Sequence, residues 1–291
     1  MRVELTAAEI RRAVRVALAE DLGRGDVTTL ATVPPGAQSL ALMNAREPLV
    51  VAGLQFVEVA FHQVAAHYAS RGGIKLTAFA HDGQRVLAGA PLLQISGPSR
   101  VLLSAERVAL NFVQRLSGVA TATAQFAAAI AGSGAKILDT RKTTPGWRRL
   151  EKYAVACGGG QNHRFGLYDL VLIKDNHLVA LRQEKPNAIA TAVARARKQF
   201  PKLKVEVEAD TLEQVAQAAD AGADIILLDN MPPAQLRRAV KLVRGRAQTE
   251  ASGGVTLKTV RAMAATGVDF ISVGAITHSA RAVDIGLDFE A

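Results

Sequence analysis

The sequence predicts an α/β protein: an incomplete or distorted (β/α) barrel preceded by a smaller α+β, sandwich-like domain. Three observations predict it. First, from residue 136 onward apolar strands alternate with amphipathic helices over short connections, which implies parallel pairing and right-handed crossovers. Second, polar or glycine positions close the later strands at 208, 229, 252 and 274, a step of roughly 22 residues, about one βα unit. Third, Gly222-Ala223-Asp224-Ile225-Ile226-Leu227 is echoed by Gly267-Val268-Asp269-Phe270-Ile271-Ser272. Six clear strands fall short of a complete eight-stranded barrel, and an open doubly wound sheet is the alternative.

The elements follow in order. Thr6 and Glu9 form a capping box ahead of a helix whose Ile10, Ala13, Val14, Ala17 and Leu18 share a face. Leu22–Thr29 is turn-rich and reads as a structured loop. Ser39–Ala45 and Pro48–Ala52 are short apolar runs, Leu54–Tyr68 has helical spacing, and Ile74–Ala80 alternates ahead of a turn at His81-Asp82-Gly83. Val86, Gly89, Leu92 and Ile95 are spaced as in biotin- and lipoate-carrier hairpins, but Arg85–Ile95 contains no lysine to carry such a group. A helix opens at Pro98-Ser99 and runs to about Leu116. Gly118 interrupts the pattern, and a second helix covers Val119–Ala131. The expected domains are therefore 1–117 and 118–275, with the tail 276–291 joining the first. In the second domain the strands are Lys136–Asp139, Asp169–Lys174, Leu203–Glu208, Asp224–Asp229, Gln248–Ser252 and Asp269–Gly274. The helices between them are Trp147–Ala156, Ala188–Phe200, Leu212–Ala221, Ala234–Val243 and Leu257–Ala265.

The chain has 291 residues and a net charge of +9, which suits an anionic partner. The basic residues are dispersed, and pairs such as Arg11-Arg12, Arg148-Arg149 and Arg237-Arg238 read as solvated helix faces. Only 4% of residues are aromatic, so base stacking, and with it nucleic-acid binding, is not expected. No signal segment or membrane span is evident, and the single Cys157 forms no internal disulfide, so a reducing cytoplasm is expected.

The basic clusters Arg141-Lys142, His163-Arg164 and Lys174 stand apart because each adjoins a strand or turn signal. Cations emerging where buried strands end need carboxylate partners or an external anion. Arginine grips carboxylate or phosphate through two parallel hydrogen bonds, and lysine adds a point charge. Glu208 and Asp229 end neighbouring strands and suit sugar hydroxyls, Mg²⁺ or a positive transition state. Ser252-Gly253-Gly254 and Val273-Gly274-Ala275 suit a phosphate, which in barrels lies after the last two strands. His62, His67, His81 and His278 have no partner pattern and read as structural. Zinc spacing and a Gly-x-x-x-x-Gly-Lys-Ser/Thr loop are absent.

Over nearly its whole length the chain resembles the quinolinate phosphoribosyltransferases. The resemblance rests on Glu20–Thr28, Glu106–Asn111, Asp139-Thr140-Arg141-Lys142-Thr143-Thr144-Pro145-Gly146, Lys152–Val155, Gly158–Arg164, Leu172–His177, Leu228–Met231 and Phe270–Ala275. It implies transfer of phosphoribosyl from phosphoribosyl pyrophosphate to quinolinate, with loss of the 2-carboxylate as CO₂ and Mg²⁺ accompanying the pyrophosphate. The products are nicotinate mononucleotide and pyrophosphate. It implies that Arg141, His163, Arg164 and Lys174 line the quinolinate pocket, with Lys142 nearby and shared with the phosphates, and that Thr140 is also substrate-binding. Glu208 and Asp229 would face the ribose and its metal, directly or through water. Ser252–Gly254 and Val273–Ala275 would hold the 5′-phosphate. Arg107 would come from the neighbouring subunit of a homodimer or higher homo-oligomer. The expected catalytic set is Arg141, Lys142, Lys174, Glu208 and Asp229. The family usually has Ser-Gly-Asn where this chain has Ser252-Gly253-Gly254. The rivals are a molybdenum-transport-associated relative with a different acceptor base and a Schiff-base lyase using Lys142 or Lys174.

Overall fold

The computed structural model describes residues 3–69 and 73–290. Residues 1, 2, 70–72 and 291, which include the ends of the expected 1–117 domain and 276–291 tail, lie outside the described residues. Internal contacts divide the chain into two compact units, one of residues 3–124, 149–159 and 280–290, the other of Gln125–Arg148 and Gly160–Ser279.

In the first unit an antiparallel sheet carries β1 (Gln38–Ala45), β3 (Lys75–Ala78), β5 (Pro91–Pro98) and the C-terminal strand Ile285–Phe289. β2 (Leu49–Val50) and β4 (Arg85–Val86) form a separate pair. The sheet order is Ile285–Phe289, β1, β5, β3, so the C-terminal strand forms one edge and β3 the other. Residues 285–289 run beside β1 from Ala45↔Ile285 to Ala41↔Phe289. Ala41, Met43 and Ala45 of β1 are buried while their neighbours are not, the period-two alternation of a half-buried strand. Helix Ala7–Asp21 packs Ile10, Val14 and Leu18 inward and meets helix Leu54–His67. The latter buries Phe56, Val57, Ala60, Phe61 and Val64, and Phe56 stacks on Phe112 at 4.7 Å. Thr6 and Glu9 form the capping box that the sequence predicts.

Two local expectations are corrected. Part of the turn-rich segment is a helix, Val27–Thr32, because Asp26 caps it by accepting the Thr29 N–H at 3.0 Å. The break at Gly118 does not occur: one helix of 31 residues runs from Ser99 to Ala129. Gly118 is there for close approach, since a Cβ would stand 2.0 Å from the carbonyl oxygen of Arg281. The division between the units falls within this helix, after Ala124, and the helix passes the expected 117/118 boundary unbroken.

The second unit holds a six-stranded parallel sheet: β6 (Lys136–Leu138), β7 (Val171–Ile173), β8 (Val205–Ala209), β9 (Ile225–Asp229), β10 (Gln248–Ser252) and β11 (Phe270–Ser272). Its order is β6-β11-β10-β9-β8-β7, with β6 and β7 at the edges, and Gln161 adds a single parallel bridge to Leu138. The helices between the strands, Ala188–Gln199, Leu212–Asp220, Pro233–Val243 and Val260–Ala264, each bury an apolar face, as a barrel-like α/β unit requires. The short helices Asp175–Ala180 and Ala275–His278 were not apparent from periodicity, being too short to display it. Pairing of Glu208 with Leu227 and of Ser252 with Asp229 brings neighbouring strand ends level.

Substituting Gly118 tests the close approach. Alanine would gain about 1 kcal/mol of helix propensity. The clash is with backbone, which no rotamer relieves, and overpacking of this kind costs about 1–3 kcal/mol or more. Gly118→Ala is therefore expected to lower the melting temperature, and a melt equal to or above that of the parent would contradict the packing.

Candidate active site

A cavity of about 810 Å³ opens at the carboxyl ends of the parallel strands. The loop after β6 supplies Thr140, Arg141 and Lys142; the segment before β7 supplies His163 and Arg164; Lys174 follows β7. Glu208 and Asp229 end β8 and β9, and Ser252, Gly253 and Gly254 follow from β10. Gly274 and Ala275 come after β11. Of the residues expected here, Val273 and Arg107 do not line the cavity. Val273 is buried with its N–H donated to Leu138, and Arg107 is an exposed residue of helix Ser99–Ala129 in the other unit.

The loops that carry the cations are held by backbone and carboxylate contacts. The buried Asp139 carboxylate accepts the His163 N–H and the Asn162 side chain, each at 2.8 Å, which ties residues 162–163 to the end of β6. Arg148 corrects the expectation of a solvated helix face. Its guanidinium donates to the carbonyls of Phe165 at 3.1 Å and Arg141 at 3.4 Å and to Thr143 Oγ1 at 3.1 Å, clamping both cation-bearing loops. The Nε atoms of Arg141 and Arg164 are buried and have no hydrogen-bond partner. Arg164 donates from Nη1 to the Leu170 carbonyl at 3.2 Å. Burial and the neighbouring Arg141 pull its pKa down from the ordinary arginine value. Lys174 differs: its Nζ pairs with Glu208 at 2.6 Å, with the lysine half exposed.

Asp229 lies on the acidic side of the cavity. Burial, then the charges of Glu208 and Asp210, raise its pKa above the ordinary aspartate value of 3.8. Asn230 follows in a left-handed conformation, φ 53°, and Asn230 Nδ2 donates to Asp229 at 2.6 Å. Gly253 has φ +93°, which favours glycine, and a Cβ would meet Asn230 at its side-chain oxygen, 2.1 Å, and its backbone nitrogen, 3.0 Å. Gly254 has φ +58° and nothing within 4 Å of a Cβ position, so space lies open beside it.

Sequence reasoning missed Glu206 and Glu250. Both are fully buried, and Glu250 lines the cavity floor. His163 Nε2 stands 3.1 Å from Glu206 Oε2 and 3.4 Å from Glu250 Oε2. Burial would depress this histidine, but the hydrogen bonds to the two carboxylates favour the imidazolium, pushing it up to about 10. Against that, Nδ1, where the second proton would sit, accepts the Arg164 N–H at 2.7 Å. Burial and then Glu250 raise the Glu206 pKa. The signal for both glutamates was available: each lies two residues before a recognised site residue, Glu208 or Ser252, so strand alternation puts it on the same face. His278, read as structural, also lines the cavity.

Residues 119–288 match the family model of the quinolinate phosphoribosyl transferase C-terminal domain, and residues 26–117 that of the N-terminal domain. The chain is 44% identical over 282 residues to the nicotinate-nucleotide pyrophosphorylase [carboxylating] of Mycobacterium leprae, covering 96% of each. It is 42% identical over 271 residues to the probable enzyme of that name in Bacillus subtilis, covering 92% of this chain and 89% of that one. The solved nicotinate-nucleotide pyrophosphorylase of Francisella tularensis superposes with a TM-score of 0.91 at 39% identity, covering 100% and 99% of the two chains.

The Asp229 pKa gives a pH-dependent test. A carboxyl raised in the folded state contributes stability present below its unfolded value and lost as pH rises through the folded value. Glu208→Gln removes a neighbouring charge and releases Lys174 toward Asp229, so the Asp229 titration should move down toward 3.8. Carboxyl-carbon NMR of both proteins measures it; an Asp229 that titrates below 3.8 in the parent would refute the assignment.

Proposed function

The chain belongs to the quinolinate phosphoribosyltransferase family, and from that membership we propose that it is a pentosyltransferase of NAD biosynthesis. It transfers phosphoribosyl from phosphoribosyl pyrophosphate to quinolinate, releasing pyrophosphate and CO₂ and leaving nicotinate mononucleotide. The observation that carries this reading is the meeting of Arg141, Arg164 and Lys174 at one cavity, facing Glu208 and Asp229. Two arginines with unpartnered buried Nε atoms suit a ring bearing two carboxylates.

The division of labour follows from position. Arg141, Arg164 and Lys174, beside Thr140 and His163, seat the pyridine dicarboxylate, and Lys142 lies between it and the phosphates. As substrate enters, Lys174 is shared between Glu208 and the incoming anion. Positioning two anions side by side supplies a large part of the rate. Glu208 and Asp229 stand where positive charge grows on the ribose as pyrophosphate departs, and carboxylates there lower that barrier. The cations stabilise the electron pair left on the ring when CO₂ leaves. The glycine turn at Ser252–Gly254 and the backbone at Gly274 and Ala275 hold the 5′-phosphate.

Glu208 and Asp229 fit magnesium in donor type, offering hard carboxylate oxygens directly or through water. Bound Mg²⁺ would neutralise charge on the pyrophosphate leaving group. We further propose a homodimer or higher homo-oligomer in which exposed Arg107 completes the partner's site. We place the protein in the cytoplasm, which its single cysteine supports. Among the described residues no helix is long and apolar enough to cross a membrane.

Incubation with quinolinate, phosphoribosyl pyrophosphate and Mg²⁺ should yield nicotinate mononucleotide. Nicotinate, lacking one carboxylate, should be used about 10- to 100-fold less well, the value of a charge-assisted hydrogen bond. Equal use of both acceptors would contradict the dicarboxylate clamp. Arg107→Ala and Arg141→Ala proteins should each be weakly active alone and recover activity when mixed; subunit exchange without recovery would exclude sharing of sites.

A further inference from the structure

Two buried glutamates, Glu206 and the cavity-lining Glu250, are used by no step above. His163 is held by contacts within the protein. Its backbone N–H goes to Asp139, its Nδ1 accepts the Arg164 N–H, and its Nε2 faces Glu206 and Glu250. Both ring nitrogens are thus engaged inside the protein. The next residue, Arg164, has its Nη1 on the Leu170 carbonyl and its Nε buried without a partner. The negative charge of Glu206 also offsets the repulsion that Arg141 exerts on Arg164.

We propose that Glu206, Glu250 and His163 are positioning residues: a buried post, with the two carboxylates gathered at His163 Nε2, that fixes the main chain at 163–164 and aims Arg164 into the cavity. Arg164, not His163, then grips a ring carboxylate. The post spans three strands of the sheet, since Glu206 and Glu250 belong to β8 and β10 while Asp139, just past β6, holds the same residue from above. A side chain on a loop gains the rigidity of the sheet in this way. The inference rests on the quinolinate reading and deepens it.

Steady-state kinetics with quinolinate varied, and separately with phosphoribosyl pyrophosphate varied, tests it. His163→Leu and Glu250→Leu should raise the quinolinate KM at least about 10-fold, as misplacement of a substrate-holding group does, while the phosphoribosyl pyrophosphate KM stays within about 2-fold. His163→Gln keeps an N–H within reach of the glutamates and Glu250→Gln keeps an acceptor, so each should recover most of its leucine counterpart's loss. Equal losses in the glutamine and leucine variants would overturn the proposal, as would equal rises in both KM values. Nitrogen-15 NMR of the parent is independent of any variant's folding. His163 ring signals unchanged on adding quinolinate are expected; a change on binding makes His163 a direct ligand and overturns the proposal. A parent that forms no nicotinate mononucleotide sinks the functional reading itself, whereas normal turnover with unmoved KM values in the leucine variants sinks only the positioning role.

Discussion

Two guanidinium groups, Arg141 and Arg164, are held near enough for one to lower the other's pKa, and the rest of the site exists to keep them there. Left to themselves they would separate into water, because like charges repel and each loses hydration on burial. Three devices oppose this. Arg148 draws the two loops together through their carbonyls. Asp139 ties the 162–163 segment to the end of β6. Glu206 and Glu250 support His163 from the floor of the cavity. The unfavourable field that remains is what an incoming dianion relieves.

The parallel sheet makes this arrangement possible. Alternation along a strand places Glu206 and Glu208 on one face and leaves Val205, Val207 and Ala209 to be buried on the other. One strand thereby serves two depths of the cavity, a deep carboxylate that supports and a shallow one that pairs with Lys174. Short turns after the strands bring groups far apart in sequence to one mouth. Gly253 permits the backbone of its turn to pass Asn230, where any side chain would collide.

The first unit shows the same economy of backbone. Glycine at 118 lets a long helix lie against the chain at Arg281, and the strand at 285–289 follows directly to pair with β1. In a sequence read linearly, a glycine in the middle of a helix looks like a break. Here it is the place where two backbones meet, so the helix continues.

By itself the sequence determined the βα alternation and the barrel-like class, because hydrophobic period and strand-end spacing are local properties. It also determined which cations and carboxylates end the strands, from Arg141 and Arg164 to Glu208 and Asp229. It could not show that Arg148 clamps two loops, that Gly118 marks a contact with Arg281, or that Glu206 and Glu250 meet at His163. Each of those depends on which segments become neighbours, and the chain from 148 to 165 or from 206 to 250 carries no local trace of the pairing. Only the tertiary structure decided the surroundings of His163, because it alone brings the Arg164 N–H to one ring nitrogen and two carboxylates to the other.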